Sequence, residues 1–134
     1  MGPRDRKQSE EARQRAAYPR GERHELSSVR LLEQTEGALD ESADRELVLH
    51  LVGAHHGHCR PFAPAMDSPE DVPVEVTVDG RTYRGSTRHG MARLDSGAAD
   101  RFWALTYRYG WWGLAWLEAL VRLADHRASE RGNA

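Results

Sequence analysis

Ser42-Ala43-Asp44-Arg45-Glu46-Leu47-Val48-Leu49-His50-Leu51-Val52-Gly53-Ala54-His55-His56-Gly57 is the stretch on which the fold class turns. Leu47, Val48, Leu51 and Val52 recur at helical spacing and offer a wide apolar face. Gly57 follows as a residue that can stop a helix in the left-handed conformation. The spacing predicts a helix over about 42–56 whose last turn carries two imidazoles. His50 falls on its core side, as a hydrogen-bonded core histidine. Beyond it, Gly57, Pro61 and Pro64 break the chain into a loop that also holds His58 and the single cysteine, Cys59. Imidazoles at a helix end, beside a loop that admits solvent, are the raw material of a metal site.

Towards the N-terminus, residues 2–18 are polar and charge-rich, with Ser9 as a cap for a solvated helix over about 9–17. Tyr18-Pro19-Arg20-Gly21 breaks it. This divides the chain into a polar N-terminal segment, 1–20, and one folded region, 21–134. A helix over about 22–34 follows, with Leu26, Val29, Leu32 and possible support from Leu31 as its buried stripe, ended by Gly37.

Towards the C-terminus, residues 57–73 hold four prolines and no periodicity, so they read as a long loop. Val74, Val76 and Val78 alternate with polar residues up to Asp79-Gly80, a dipeptide suited to a type I′ hairpin. A helix starts near Ser96, capped by Asp95 or Ser96, with Phe102, Trp103, Leu105 and Thr106 on its apolar side. Tyr109-Gly110-Trp111-Trp112-Gly113 marks a turn into a last helix over about 111–130, with Leu114, Leu117, Leu120, Val121 and Ala124 at helical spacing. The expected fold is mainly α, a helical bundle with a small β-hairpin insertion that must lean on the helices.

Composition narrows the function. The net charge of −2 supplies no global positive field towards nucleic acid. Lys7 is the only lysine, so arginines carry the positive charge. A single cysteine forms no internal disulfide, which suits a cytoplasmic setting. The N-terminus is charged, unlike a signal peptide. The apolar run in 111–123 is cut by Glu118 and Arg122, so no membrane partner is expected.

Four residues stand out as candidate metal ligands. His55 and His56 point about 100° apart on a helix and reach one site only where the helix end opens towards it. His24, one helix earlier, can add a third imidazole if the two helices pack side by side. Asp125 is a carboxylate set in an otherwise apolar stripe, where desolvation demands a charge, hydrogen bonds or a metal. Blander chemistry fits the same residues: a His-His pair is also a polar helix cap, and Asp125 can pair with Arg122 or Arg127 at the surface. All four tryptophans fall in residues 103–116, expected as core or as a patch for a partner ahead of a base-stacking platform. His89 has no evident role, and Cys59 lacks the electropositive setting of a nucleophile. Neither a G-x-x-x-x-G-K phosphate loop nor a G-x-S-x-G elbow occurs.

Three segments resemble one family: Arg23-His24-Glu25-Leu26-Ser27, His55-His56-Gly57 running into Arg60-Pro61, and Arg122-Leu123-Ala124-Asp125-His126-Arg127-Ala128-Ser129-Glu130. The stretch from Leu94-Asp95-Ser96-Gly97 through Arg108-Tyr109-Gly110-Trp111-Trp112-Gly113-Leu114-Ala115-Trp116-Leu117-Glu118 fits as well. The chain resembles, from Tyr18 to Glu130, the HD-type nuclease domain of the Cas3 proteins of type I CRISPR systems, in the variant with an atypical helicase. The resemblance implies an HD-domain-like helical bundle holding two divalent metals and cleaving single-stranded DNA in antiviral defence. It implies that His24, His55 and His56 ligate one metal and that Asp125, the catalytic aspartate, ligates the other. It implies transition ions such as Mn, Co, Ni or Fe ahead of Mg. Its implied partners are single-stranded DNA, the helicase portion of Cas3 and the CRISPR effector complex.

The sequence departs from that family at one point. The His-Asp dyad is missing: residues 1–22 hold no histidine, and no His-Asp dipeptide occurs anywhere. Residues 21–134 therefore correspond to the C-terminal portion of an HD domain, either truncated or one half of a split enzyme whose missing helices come from another chain. The rival readings are a catalytically inactive helical remnant or adaptor, and an HD phosphohydrolase acting on nucleotides.

Overall fold

The second helix starts where its cap is strongest. Asp44 sits in extended backbone, and its carboxylate accepts the Leu47 N–H at 3.1 Å. Oδ2 of the same carboxylate accepts from the Tyr109 hydroxyl at 2.6 Å and from Arg108 at 2.7 Å. One side chain therefore caps one helix and ties it to the end of another. The computed structural model describes residues 24–64 and 70–132, His24 by its backbone alone. The helix expected over 9–17 and the break at Tyr18–Gly21 lie outside them.

Among the described residues the order is α1 (His24–Gln34), α2 (Arg45–Ala54), β1 (Pro73–Val78), β2 (Arg81–Ser86), α3 (Ala98–Tyr109) and α4 (Trp111–Gly132). The fold is mainly helical with one small hairpin. No described helix is long and apolar enough to cross a membrane.

Two apolar clusters hold these elements. Leu26 and Val29 of α1, Leu49 of α2, Cys59, Met91 and Ala98 form the first. Phe102 and Leu105 of α3 with Leu114 of α4 form the second, with Leu47 and Tyr109 against it. The helix over 42–56 forms, but its buried residues are Leu49, His50, Gly53 and Ala54, while Val48 and Leu51 of the expected face are only half-buried. Helix α2 turns this face inward because α1 lies against Gly53. A Cβ there would come within 3.2 Å of Val29 Cγ2 and 3.4 Å of Cys59 Sγ.

An arginine network runs beside the first cluster. Arg101 of α3, nearly buried, reaches Glu33 of α1 at 2.6 Å and Glu46 of α2 at 2.8 Å. Arg30 pairs with Glu33 and donates to the His89 carbonyl at 2.7 Å. His89 is not roleless: it is buried, and its Nδ1 accepts the Met91 N–H at 3.0 Å. This fixes the segment leading into α3.

The hairpin pairs antiparallel, with Val78 opposite Arg81 across the turn. Asp79 and Gly80 both have positive φ, +49° and +77°, as a type I′ turn requires. Strand β2 rests on α1 so closely that a Cβ at Gly85 would lie 2.8 Å from Leu31 Cδ2. The lean on the helices expected of an isolated hairpin is thus made by backbone on side chain.

Helix α3 is not capped by the Asp95 side chain. Its N-cap is Gly97, at φ +88°, and the Ser96 hydroxyl accepts from the Ala98 N–H at 3.3 Å. Asp95 is drawn away into a two-point pair with Arg93 at 2.8 and 2.9 Å. The tryptophans are not core: Trp103, Trp111, Trp112 and Trp116 are all exposed. Helix α4 buries Leu114, and Trp112 and Trp116 project on its other side.

The Tyr109 hydroxyl, and then the backbone and Arg108 bonds, hold the Asp44 carboxyl below its ordinary range. Protons therefore bind more tightly to the unfolded chain. The stability Asp44 confers is complete above the unfolded value of about 3.9 and declines as pH falls through the lower folded value. Asp44→Ala is expected to cost about 1 kcal/mol for the cap alone. Urea midpoints for wild type and variant should converge as pH drops through that window.

Candidate metal centre

Helix α2 ends at Ala54, with His55 as its C-cap in helical backbone and Gly57 turning away at φ +89°. The Gly57 N–H closes the end on the Ala54 carbonyl at 2.8 Å. This local geometry puts two imidazoles at one helix end, with ring centroids 4.1 Å apart and planes inclined by 43°. The Nδ1 of His55 lies 2.5 Å from the Val52 carbonyl. A carbonyl only accepts, so Nδ1 is the donor here, and Nε2 is the ring nitrogen a metal would take. That is the outer hydrogen bond that metal-bound histidines use.

Asp125 arrives from α4, some seventy residues later in the chain. The donor atoms of His55, His56 and Asp125 all lie within 4.8 Å of one another. Metal–ligand bonds of about 2.0–2.2 Å allow two donors on one ion to be no more than about 4.4 Å apart. The spread exceeds that limit by a few tenths of an ångström, so binding an ion requires the exposed Asp125 and His56 side chains to draw in. Two imidazoles and a carboxylate suit a divalent transition ion with further positions open. The α2 C-terminus adds negative backbone potential that favours a cation.

What brings α4 to this position is a ladder of contacts at four-residue steps. Leu114 is buried in the second cluster. Glu118 is next: its Oε1 lies 2.6 Å from Nε2 of His50, and Arg60 Nε lies 2.9 Å from Oε2. His50 is thus the hydrogen-bonded core histidine that the sequence predicts. Arg60 also stacks 5.6 Å over the Phe102 ring. Arg122 then donates to the His55 carbonyl at 3.4 Å and passes beside Gly57. Asp125, three residues on, lies over the same helix end.

Asp125 is exposed, not desolvated as its apolar neighbours suggest. Beyond residue 119 helix α4 outruns the core, and only Val121 stays half-buried. The His24 side chain lies outside the described residues, so the cluster is drawn from three of the four expected ligands. Its neighbour Glu25 lies close enough to raise the Cys59 thiol, so the first turn of α1 borders the loop after α2. Burial, above all, pushes that thiol up to about 11, which rules out a nucleophilic thiolate at neutral pH.

A cleft of about 460 Å3 runs alongside, lined by Gly57, Arg60, Glu118, Arg122, Leu123 and His126 among others. Sequence reading missed Glu118, Arg122 and His126 as a set. Their signal was the repeat of four, legible only once the helix face was known. No protein-family model matches the chain, and neither a curated protein nor a solved structure matches it.

Two measurements probe this centre. Glu118→Ala strips the buried His50 ring of its acceptor and should lower stability by about 1–3 kcal/mol in urea denaturation. Dialysed protein is expected to take up about one Mn2+ or Co2+ per chain by elemental analysis. His55→Ala, His56→Ala or Asp125→Ala should each weaken uptake by about tenfold or more. Equal uptake by all three variants would make the cluster a polar surface only.

Proposed function

We propose that the chain supplies the later half of a two-metal HD-type nuclease centre that hydrolyses single-stranded DNA in a Cas3-type CRISPR system. The observation that carries this reading is the convergence of the His55–His56 pair with Asp125, remote from it in sequence, beside an arginine-lined cleft. His24, His55, His56 and Asp125 are the proposed ligand set, completed by a His-Asp dyad outside this chain. The four helices are, on this reading, the later part of an HD-type bundle. The proposed ions are Mn, Co, Ni or Fe ahead of Mg, on the grounds of imidazole-rich ligation.

A bound divalent ion would lower the pKa of a coordinated water and offset charge on the phosphoryl oxygens. The protein's own part is orientation. The Val52 carbonyl holds His55 in one tautomer. Arg122 holds the helix carrying Asp125 against the helix carrying His55. Arg60 and Arg122 line the cleft where phosphates would lie. The cleft is an open groove, which suits a polymer better than a mononucleotide and favours the nuclease over a nucleotide phosphohydrolase. A cytoplasmic setting, the Cas3 helicase portion and the CRISPR effector complex belong to the same proposal.

The test is cleavage of labelled single-stranded DNA with Mn2+ or Co2+. The chain alone should cut slowly or not at all, and any cutting should vanish with Asp125→Ala. Fast Asp125-dependent cutting by this chain alone would overturn the half-site reading. Metal uptake indifferent to His24→Ala and His55→Ala would favour a non-catalytic helical adaptor.

A further inference from the structure

Helix α4 has a second face. At 100° per residue, Trp112, Ala115, Trp116, Ala119, Arg122, Leu123 and His126 fall within about 120° of its circumference. Leu114, Leu117 and Val121 occupy the opposite, core-facing side. The outward face is exposed where it is most apolar: Trp112 is 88% and Trp116 is 64% accessible. From Trp112 to His126 it runs about 21 Å at 1.5 Å per residue. Its later residues, Ala119, Arg122, Leu123 and His126, line the cleft beside the His55–His56–Asp125 cluster.

Aromatic rings therefore give way to arginine along one continuous strip that ends at candidate metal ligands. We infer that this strip is a sequence-tolerant binding track for single-stranded nucleic acid, with Trp112 and Trp116 stacking on bases and Arg122 holding a phosphate. The inference rests on the hydrolytic reading of the cluster for its choice of ligand. Two features favour a nucleic acid over a docked protein helix. The strip turns basic along its length, where a helix-docking seam would stay apolar. Arg60 lines the same cleft and adds a second guanidinium beside Arg122, paired in part with Glu118. Stacking needs no particular base, since each base has a π face, so the track would be indifferent to sequence.

The strand-binding test uses the full chain and a fluorescent oligo-dT in EDTA, so that neither metal nor cleavage enters the readout. Wild type should bind with quenching of tryptophan emission. Trp112→Ala and Trp116→Ala should each weaken binding about 5- to 150-fold, the usual worth of one stacked base. Tyr107→Ala, equally exposed on α3 but off the strip, should bind as wild type. Arg122→Ala should reduce the slope of log K against log salt by about 0.7, and Arg122→Lys should restore it. No binding by wild type, or unchanged affinity in both tryptophan variants, overturns the track. So does self-association in sedimentation that Trp112→Ala abolishes while oligo-dT binding persists, since the strip is then a protein interface. The two readings fail separately. Tight Trp-dependent binding with metal uptake indifferent to His55→Ala and Asp125→Ala sinks the hydrolytic reading alone, whereas uptake that depends on His55 and Asp125 without Trp-dependent binding sinks the track alone.

Discussion

The structure hinges on Glu118. Its carboxylate takes a hydrogen bond from the buried His50 ring and one from Arg60, and so joins α4 to α2 and to the loop after it. A half-buried carboxylate is costly without partners, and here the His50 ring and the Arg60 guanidinium supply them. The pairing also sets the roll of α4. With Glu118 turned towards His50, Leu114 must face the second cluster, Arg122 must reach the end of α2, and Asp125 must lie over the imidazoles. Hydrophobic burial alone would leave that roll loose, because α4 places only one residue, Leu114, fully inside.

The same arrangement explains why the candidate centre lies at an edge. Helix α4 continues well past the core, and its last turns are exposed on nearly every side. A side-chain cluster built where a helix leaves the body stays open to solvent. The cost is weak preorganisation. His55 is held by Val52, but Asp125 relies on the Arg122 clasp and on helical continuity.

Much of the architecture was legible residue by residue. Asp79-Gly80 announced the hairpin because positive φ at two adjacent positions is a local demand that few residues meet. Leu26 and Val29 announced the buried side of α1 for the same kind of reason, a period within a few turns. Errors arose where a long-range partner chose between similar residues. Leu49 outranked Leu51 because Gly53 admits α1 on that side. Asp95 lost the α3 cap because Arg93 binds it first. The tryptophans, expected as core or as a partner patch, are exposed: Trp112 and Trp116 lie on the side of α4 opposite Leu114, and Trp103 of α3 packs edge to face on Trp111 at the surface.

The sequence by itself determined the helices, the hairpin, the turn residues and the chemical identity of the candidate ligands. These depend on backbone preference and on spacing within one element, which are properties of neighbours along the chain. Only the tertiary structure decided that His55, His56 and Asp125 come together, that Arg122 reaches the His55 carbonyl, and that Trp112 and Trp116 share a face with the cleft. Those facts depend on the relative roll of α2 and α4. That roll is set by a few polar contacts between residues more than sixty positions apart, which no local pattern records.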